Sequence, residues 1–99
     1  MKIEMISATE LDNYVKKDNV IIVDVRSAEE FGKSHICDAQ NIPLDKIEKQ
    51  VFEKEKTIVV YCERGAASLV AASQLQKKGY HVKSVVGGIN SYHGRFLCR

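Results

Sequence analysis

The sequence predicts an α/β fold, a largely parallel sheet covered by helices on both faces. Three observations predict it. Two runs, Val20-Ile21-Ile22-Val23-Asp24-Val25 and Thr57-Ile58-Val59-Val60-Tyr61, are short, almost wholly apolar and rich in β-branched residues. Strands buried on both faces of a parallel sheet read this way. Segments with helical spacing and helix-start signals alternate with these runs, which is the order of a helix-covered parallel sheet. No linker, internal repeat or low-complexity tract interrupts the 99 residues, so one domain spanning residues 1–99 is expected.

In chain order, Ser7 with Glu10 three residues on forms a capping-box pattern, followed by Leu11, Tyr14 and Val15 at helical spacing. The first buried strand then runs from Val20. Ser27 with Glu30 is a second capping box, opening a short helix that Gly32 is expected to close. A short extended piece around Ala39–Ile42 follows, with the single proline, Pro43, at its end. The charged stretch from Asp45 to about Lys54 reads as helix, and Thr57–Tyr61 as the second buried strand. Ala66–Lys78 is rich in Ala, Leu and Gln, with Lys77 and Lys78 in its last turn and Gly79 just beyond, a helix with its C-terminal signals. Val82–Val86 is a further extended run, after which Gly87-Gly88 turns the chain.

Composition removes several classes of function. Fifteen Lys and Arg against thirteen Asp and Glu leave a net charge of +2, with the signs interspersed from end to end. No basic face for a phosphate backbone can be read from that, so nucleic acid is not an expected partner. The apolar runs fall far short of the roughly 18 residues of a membrane span, so no membrane partner is expected either. Met1-Lys2-Ile3-Glu4-Met5 lacks the apolar core of a secretory signal, which points to a cytoplasmic protein. The cysteines are Cys37, Cys62 and Cys98. An odd number in a chain of that kind argues against a disulfide framework, and their spacing lacks a four-ligand zinc pattern, so no metal is expected. They are core fillers or nucleophiles, and position must decide.

Position singles out Tyr61-Cys62-Glu63-Arg64-Gly65-Ala66-Ala67-Ser68, between the end of a buried strand and the start of a helix. Ligands bind at that edge of open parallel sheets. A helix start offers unpaired N–H groups and a partial positive charge, which suit an anion and favour a cysteine thiolate. Gly65 lets the backbone turn so that several N–H groups point inward as an anion-binding nest. The competing reading is that Cys62 is a small apolar filler at a strand end.

Cys62-x-x-Gly65-x-x-Ser68 after an apolar strand resembles the active-site loop of single-domain rhodaneses, the thiosulfate-type sulfurtransferases. Asp24-Val25-Arg26-Ser27-x-Glu29-Glu30-Phe31, then His35-Ile36-x-x-Ala39-x-Asn41-Ile42-Pro43, is similar to that family's first signature. Gly87-Gly88-Ile89-x-x-Tyr92 resembles its closing turn, with tyrosine where tryptophan is commoner. The three motifs are in register from about Ile21 to Tyr92. The resemblance implies a rhodanese-like three-layer fold, a mainly parallel five-stranded sheet with helices on both faces. It also implies sulfur transfer through a Cys62 persulfide held by loop N–H groups from Glu63 to Ser68, with no metal and no organic cofactor. Small sulfur donors such as thiosulfate, thiol or cyanide acceptors, and a persulfide-donating or persulfide-accepting protein are the implied partners.

One departure stands out. Many members carry arginine where this chain has Ala67, which leaves Arg64 the loop's only cation, either facing the mouth or solvated. Glu63, if turned inward, repels small dianions, so a protein persulfide becomes a better donor than thiosulfate. Asp24 is expected to place the neighbouring loop, Arg26 to pair with Glu30, and His35 to pack and hydrogen-bond. Ser68 either directs its hydroxyl to the loop or persulfide, or caps the helix. Cys37 fills space, and an exposed Cys98 could resolve Cys62 as a disulfide. Rival readings are a cysteine phosphatase, disfavoured because Ala67 and Ser68 stand where a loop-closing arginine is needed, a sulfur-carrier module with little thiosulfate turnover, and a redox protein using Cys62 and Cys98.

Overall fold

A computed structural model describes residues 2–99; Met1, the first residue of the N-terminal stretch read above, lies outside them. In order, the elements are β1 (Glu4–Ile6), a first 3₁₀ helix (Glu10–Asn13), β2 (Val20–Asp24), α1 (Ala28–Lys33), β3 (His35–Ile36), β4 (Gln40–Asn41) and α2 (Leu44–Ile47). Then come β5 (Thr57–Tyr61), α3 (Ala66–Lys77), β6 (His81–Val85), a second 3₁₀ helix (Gly88–Ser91) and β7 (Leu97–Cys98). Five strands form one sheet in the order β1-β6-β5-β2-β4, and every pairing within it is parallel. The two apolar runs are its centre: β2 lies beside β5 from Val20↔Thr57 to Asp24↔Tyr61. β3 and β7 make a separate antiparallel pair.

Side-chain alternation along β5 divides the interior into two layers. Ile58 and Val60 face a core that includes Val23, Ile47, Ala71 and Leu75, under α2 and α3. Val59 and Tyr61 face the other, with Ile6, Leu11, Ile36, Val85 and Tyr92, under the 3₁₀ turns and β3. Helix α3 packs by a stripe of Ser68, Ala71, Ala72 and Leu75, the i, i+3, i+4, i+7 spacing of one helix face.

Several local expectations change in length. Ser7 and Glu10 do bond reciprocally, each backbone N–H to the other's side chain at 3.0 Å, yet the helix they open is one 3₁₀ turn. The capping box of Ser27 and Glu30 is formed, but α1 runs through Gly32 to Lys33 instead of stopping at the glycine. The charged stretch from Asp45 gives only the four residues of α2. Ile47 is its one buried side chain, whereas Val51 is exposed. Ending the helix early lets Phe52 swing back, where its N–H donates to the Tyr80 hydroxyl at 3.0 Å and its ring meets Tyr80 edge-on. β1, β3 and β7 are too short to carry a pattern and were not foreseen as strands. Among the described residues no helix is long and apolar enough to cross a membrane.

Candidate active site

Strand β5 ends at Tyr61, and Cys62 is the next residue, at the carboxyl edge of the sheet's central strand. The chain then turns through Gly65, which sits at φ +111° as the N-cap of α3. A Cβ at Gly65 would stand 3.3 Å from the Gly87 nitrogen and require a conformation that side chains rarely adopt. With glycine at this position no side chain caps the helix, and its first N–H groups are free for another acceptor. Cys62 Sγ is that acceptor, taking the Gly65 N–H at 3.0 Å and the Ser68 N–H at 3.3 Å. Cys62 is buried, and it lies at an open pocket of about 290 Å³ lined also by Arg26, Glu30, Glu63, Arg64, Ala66 and Ala67. Arg64 borders this mouth and is exposed to solvent.

Ser68 and Ser84 are both fully buried. Ser68 Oγ donates to the Gly65 carbonyl at 3.0 Å and lies 2.9 Å from Ser84 Oγ. A hydroxyl has one proton and a carbonyl only accepts, so Ser84 donates to Ser68, giving a one-way chain from β6 to the turn. The Ser68 hydroxyl is thus directed to the loop's own backbone. Ser84 escaped the sequence reading. The signal was there, a serine between Lys83 and Val85 in the run read as extended.

The Gly87-Gly88 turn braces the same loop from behind. The Ile89 N–H donates to the Cys62 carbonyl at 2.9 Å and the Asn90 N–H to the Glu63 carbonyl at 3.1 Å. This approach requires Gly88, at φ +60°, because a Cβ there would fall 2.6 Å from the Glu63 carbonyl carbon. The glycine pair thus acts on the cysteine's own backbone, 25 residues upstream.

Asp24, fully buried at the end of β2, accepts from the Arg26 N–H at 2.9 Å, from Arg26 Nε at 3.1 Å and from Nη2 at 2.8 Å. Burial disfavours the Arg26 cation, but hydrogen bonding and charge pairing with Asp24 outweigh it and raise the guanidinium above its ordinary pKa. Arg26 also donates to the Ser34 carbonyl at 2.6 Å and to Glu63 at 3.4 Å. The expected Arg26–Glu30 pair does not form. Glu30 is occupied by the capping box, and Glu63, brought in by the turn after β5, takes its place. Glu63 thus reaches the mouth with its charge partly offset, and its side chain is about half exposed. His35 stacks on Phe31 with centroids 3.8 Å apart, and its Nδ1 donates to the Phe31 carbonyl at 2.9 Å. It does not line the Cys62 pocket, in keeping with a packing role.

The cysteines correct the sequence reading most. Cys37 and Cys98, separated by 61 positions, form a disulfide with Cα atoms 5.1 Å apart, and Cys62 is the free cysteine. Cys37 is therefore more than a filler, and Cys98 is engaged away from Cys62. The antiparallel pairing of β3 with β7 brings the two together, which spacing alone does not reveal.

Comparison with known proteins bears on this arrangement directly. The family model described as "Rhodanese-like domain" matches residues 7–95. The chain belongs to the rhodanese-like family. A thiosulfate sulfurtransferase, GlpE, of Coxiella burnetii is similar at 32% identity over 95 residues, covering 93% of this chain and 89% of that protein. A putative sulfur carrier protein, YrkF, of Bacillus subtilis is 35% identical over 81 residues, 79% of this chain and 44% of that protein. The crystal structure of a rhodanese-like domain protein from Staphylococcus aureus superposes with a TM-score of 0.86 at 29% identity, covering 97% of each chain. The rhodanese-like fold expected from the motifs is the fold observed, and the names of the relatives support a sulfurtransferase-type enzyme.

Proposed function

We propose that this rhodanese-like chain transfers sulfane sulfur through a persulfide on Cys62. The observation that carries the reading is the Cys62 sulfur itself, held by the Gly65 and Ser68 N–H groups at the floor of an open pocket. In the first step the Cys62 thiolate attacks the outer sulfur of thiosulfate. A new S–S bond forms, the old one breaks, and sulfite leaves with the bonding pair. In the second step cyanide or a thiolate attacks the outer sulfur, forming thiocyanate or a new persulfide and returning the thiolate. One transfer becomes two displacements. The backbone donors at the start of α3 support the anionic sulfur in both resting forms.

A second reading is favoured by the composition of the mouth. Ala67 supplies no cation, Arg26 is already paired with Asp24 and Glu63, Arg64 is exposed to solvent, and Glu63 places a carboxylate beside the nucleophile. A dianion gains little there, so a persulfidated protein is the better donor, and the chain works as a relay. The name of YrkF, a putative sulfur carrier, agrees with this. Thiocyanate formation from thiosulfate and cyanide, with wild type and Cys62→Ser side by side, tests both. Turnover lost in Cys62→Ser with an unchanged fold supports the persulfide mechanism. Turnover retained by Cys62→Ser overturns it. No thiosulfate turnover by folded, reduced wild type, with loading from a persulfidated protein, selects the relay.

A further inference from the structure

We propose that Cys37 and Cys98 are a reversible thiol–disulfide site whose closure shapes the approach to Cys62. Strand β7 is only two residues long, paired to β3 through His35↔Cys98 and Ile36↔Leu97 and supported by the Cys37 N–H donating to the Phe96 carbonyl at 2.7 Å. Leu97 is largely exposed, so little apolar burial holds the strand in place. Phe96, just before it, packs on the core and donates its N–H to the Tyr92 hydroxyl at 2.8 Å, and the disulfide adds the covalent tie at the other end. Both cysteines are half-buried and within reach of a small dithiol.

This corner is connected to the active site in two ways. Ser34, the residue before β3, offers its carbonyl to Arg26, and Arg26 in turn holds Glu63, the neighbour of Cys62. In addition, a groove of about 320 Å³ is lined by Leu97 together with Arg26, Glu30 and Glu63. Those last three residues also line the Cys62 pocket, so the two spaces share a wall. With the disulfide closed, β7 is one side of the path that a donor or acceptor follows to the nucleophile. Reduction by a dithiol transfers two electrons and two protons through a mixed disulfide, leaving Cys37 and Cys98 as thiols and the reductant as a cyclic disulfide. β7 is then left with its two-residue pairing alone beyond Phe96, and the Leu97 side of the groove loosens. The consequence for transfer rests on Cys62 being the sulfur-carrying nucleophile; the existence of the redox site does not.

The test has three arms. Wild type equilibrated with oxidised glutathione and then alkylated under denaturing conditions should show Cys37 and Cys98 carrying neither alkyl group nor glutathione, whatever the state of Cys62, and the dithiol-reduced protein should show all three cysteines alkylated. Amide exchange at Cys37 should be about tenfold or more faster in the reduced protein, because its strand partner is loosened. The KM for thiosulfate should differ by about threefold or more between the oxidised protein and both the reduced, desalted protein and Cys37→Ser/Cys98→Ser, with kcat changed less. Comparing two forms of wild type keeps the test independent of how the variant folds. Cys37 and Cys98 found alkylated or glutathionylated after oxidation overturn the redox site. Equal Cys37 exchange and equal KM in the two forms overturn its link to the groove. If thiosulfate is not turned over, the rate of Cys62 alkylation by iodoacetamide under native conditions replaces KM, and equal rates have the same meaning.

Discussion

Two strand-to-helix turns stand side by side at the carboxyl edge of the sheet, and they treat their helix ends in opposite ways. After β2, the turn fills itself. Ser27 and Glu30 cap α1 with their own side chains, and Asp24 and Arg26 neutralise each other in the interior. After β5, the N-cap is Gly65, no side chain caps α3, and two of the turn's N–H groups point at a sulfur. The difference teaches where chemistry can reside. A helix end that satisfies its own donors is scaffold, and one that leaves them open can hold an anion.

The largest expected effect comes from breaking the self-satisfied turn. Arg26→Met removes the partner of a fully buried carboxylate, and a stability loss of about 3–5 kcal/mol is expected in urea unfolding. A loss below about 1 kcal/mol would mean that Asp24 is not held by this pair, since such a value is typical of exposed ones. Next is the open turn. Ala67→Arg adds a charged donor at the mouth and is expected to improve thiosulfate binding by about 1.5–3 kcal/mol, read as a KM at least about tenfold lower. An unchanged or higher KM removes the missing charge as the reason for weak thiosulfate use.

Ser27→Ala sharpens the contrast. It should cost about 1 kcal/mol of stability and leave turnover per folded molecule unchanged. A fall in turnover would show that α1 does more than support. The smallest effect lies outside neutral pH. Burial, and then the neighbouring Asp24, push the Tyr61 hydroxyl above the ordinary tyrosine range. Its contribution is therefore fully present below about pH 10 and is lost at higher pH, where the unfolded chain ionises first. In Tyr61→Phe the alkaline fall in stability should be shallower, as measured by unfolding midpoints from pH 9 to 11.

The lengths of local elements were less legible than their existence. Ser7 with Glu10 and Ser27 with Glu30 were readable because each box closes within three residues. How far each helix runs was not, because burial decides it. α2 stops where Ile47 is covered and Phe52 is needed at Tyr80. At the site, Cys62, Gly65 and the Gly87-Gly88 turn carried their signal in sequence. Ser84, the exchange of Glu30 for Glu63 beside Arg26, and the Cys37–Cys98 bond did not.

By itself the sequence determined two buried parallel strands, a cysteine between strand and helix, and a glycine that lets the chain turn there with its N–H groups inward. These follow from apolar periodicity and from the conformational freedom of single residues, which act over a few positions. The tertiary structure alone decided that β1 pairs with β6, that β7 lies on β3, and which partners Arg26 and Ser68 find. Those contacts join positions 16 to 79 residues apart. They form only because two separate apolar faces must be covered at once, and no local pattern records which distant segment will do it.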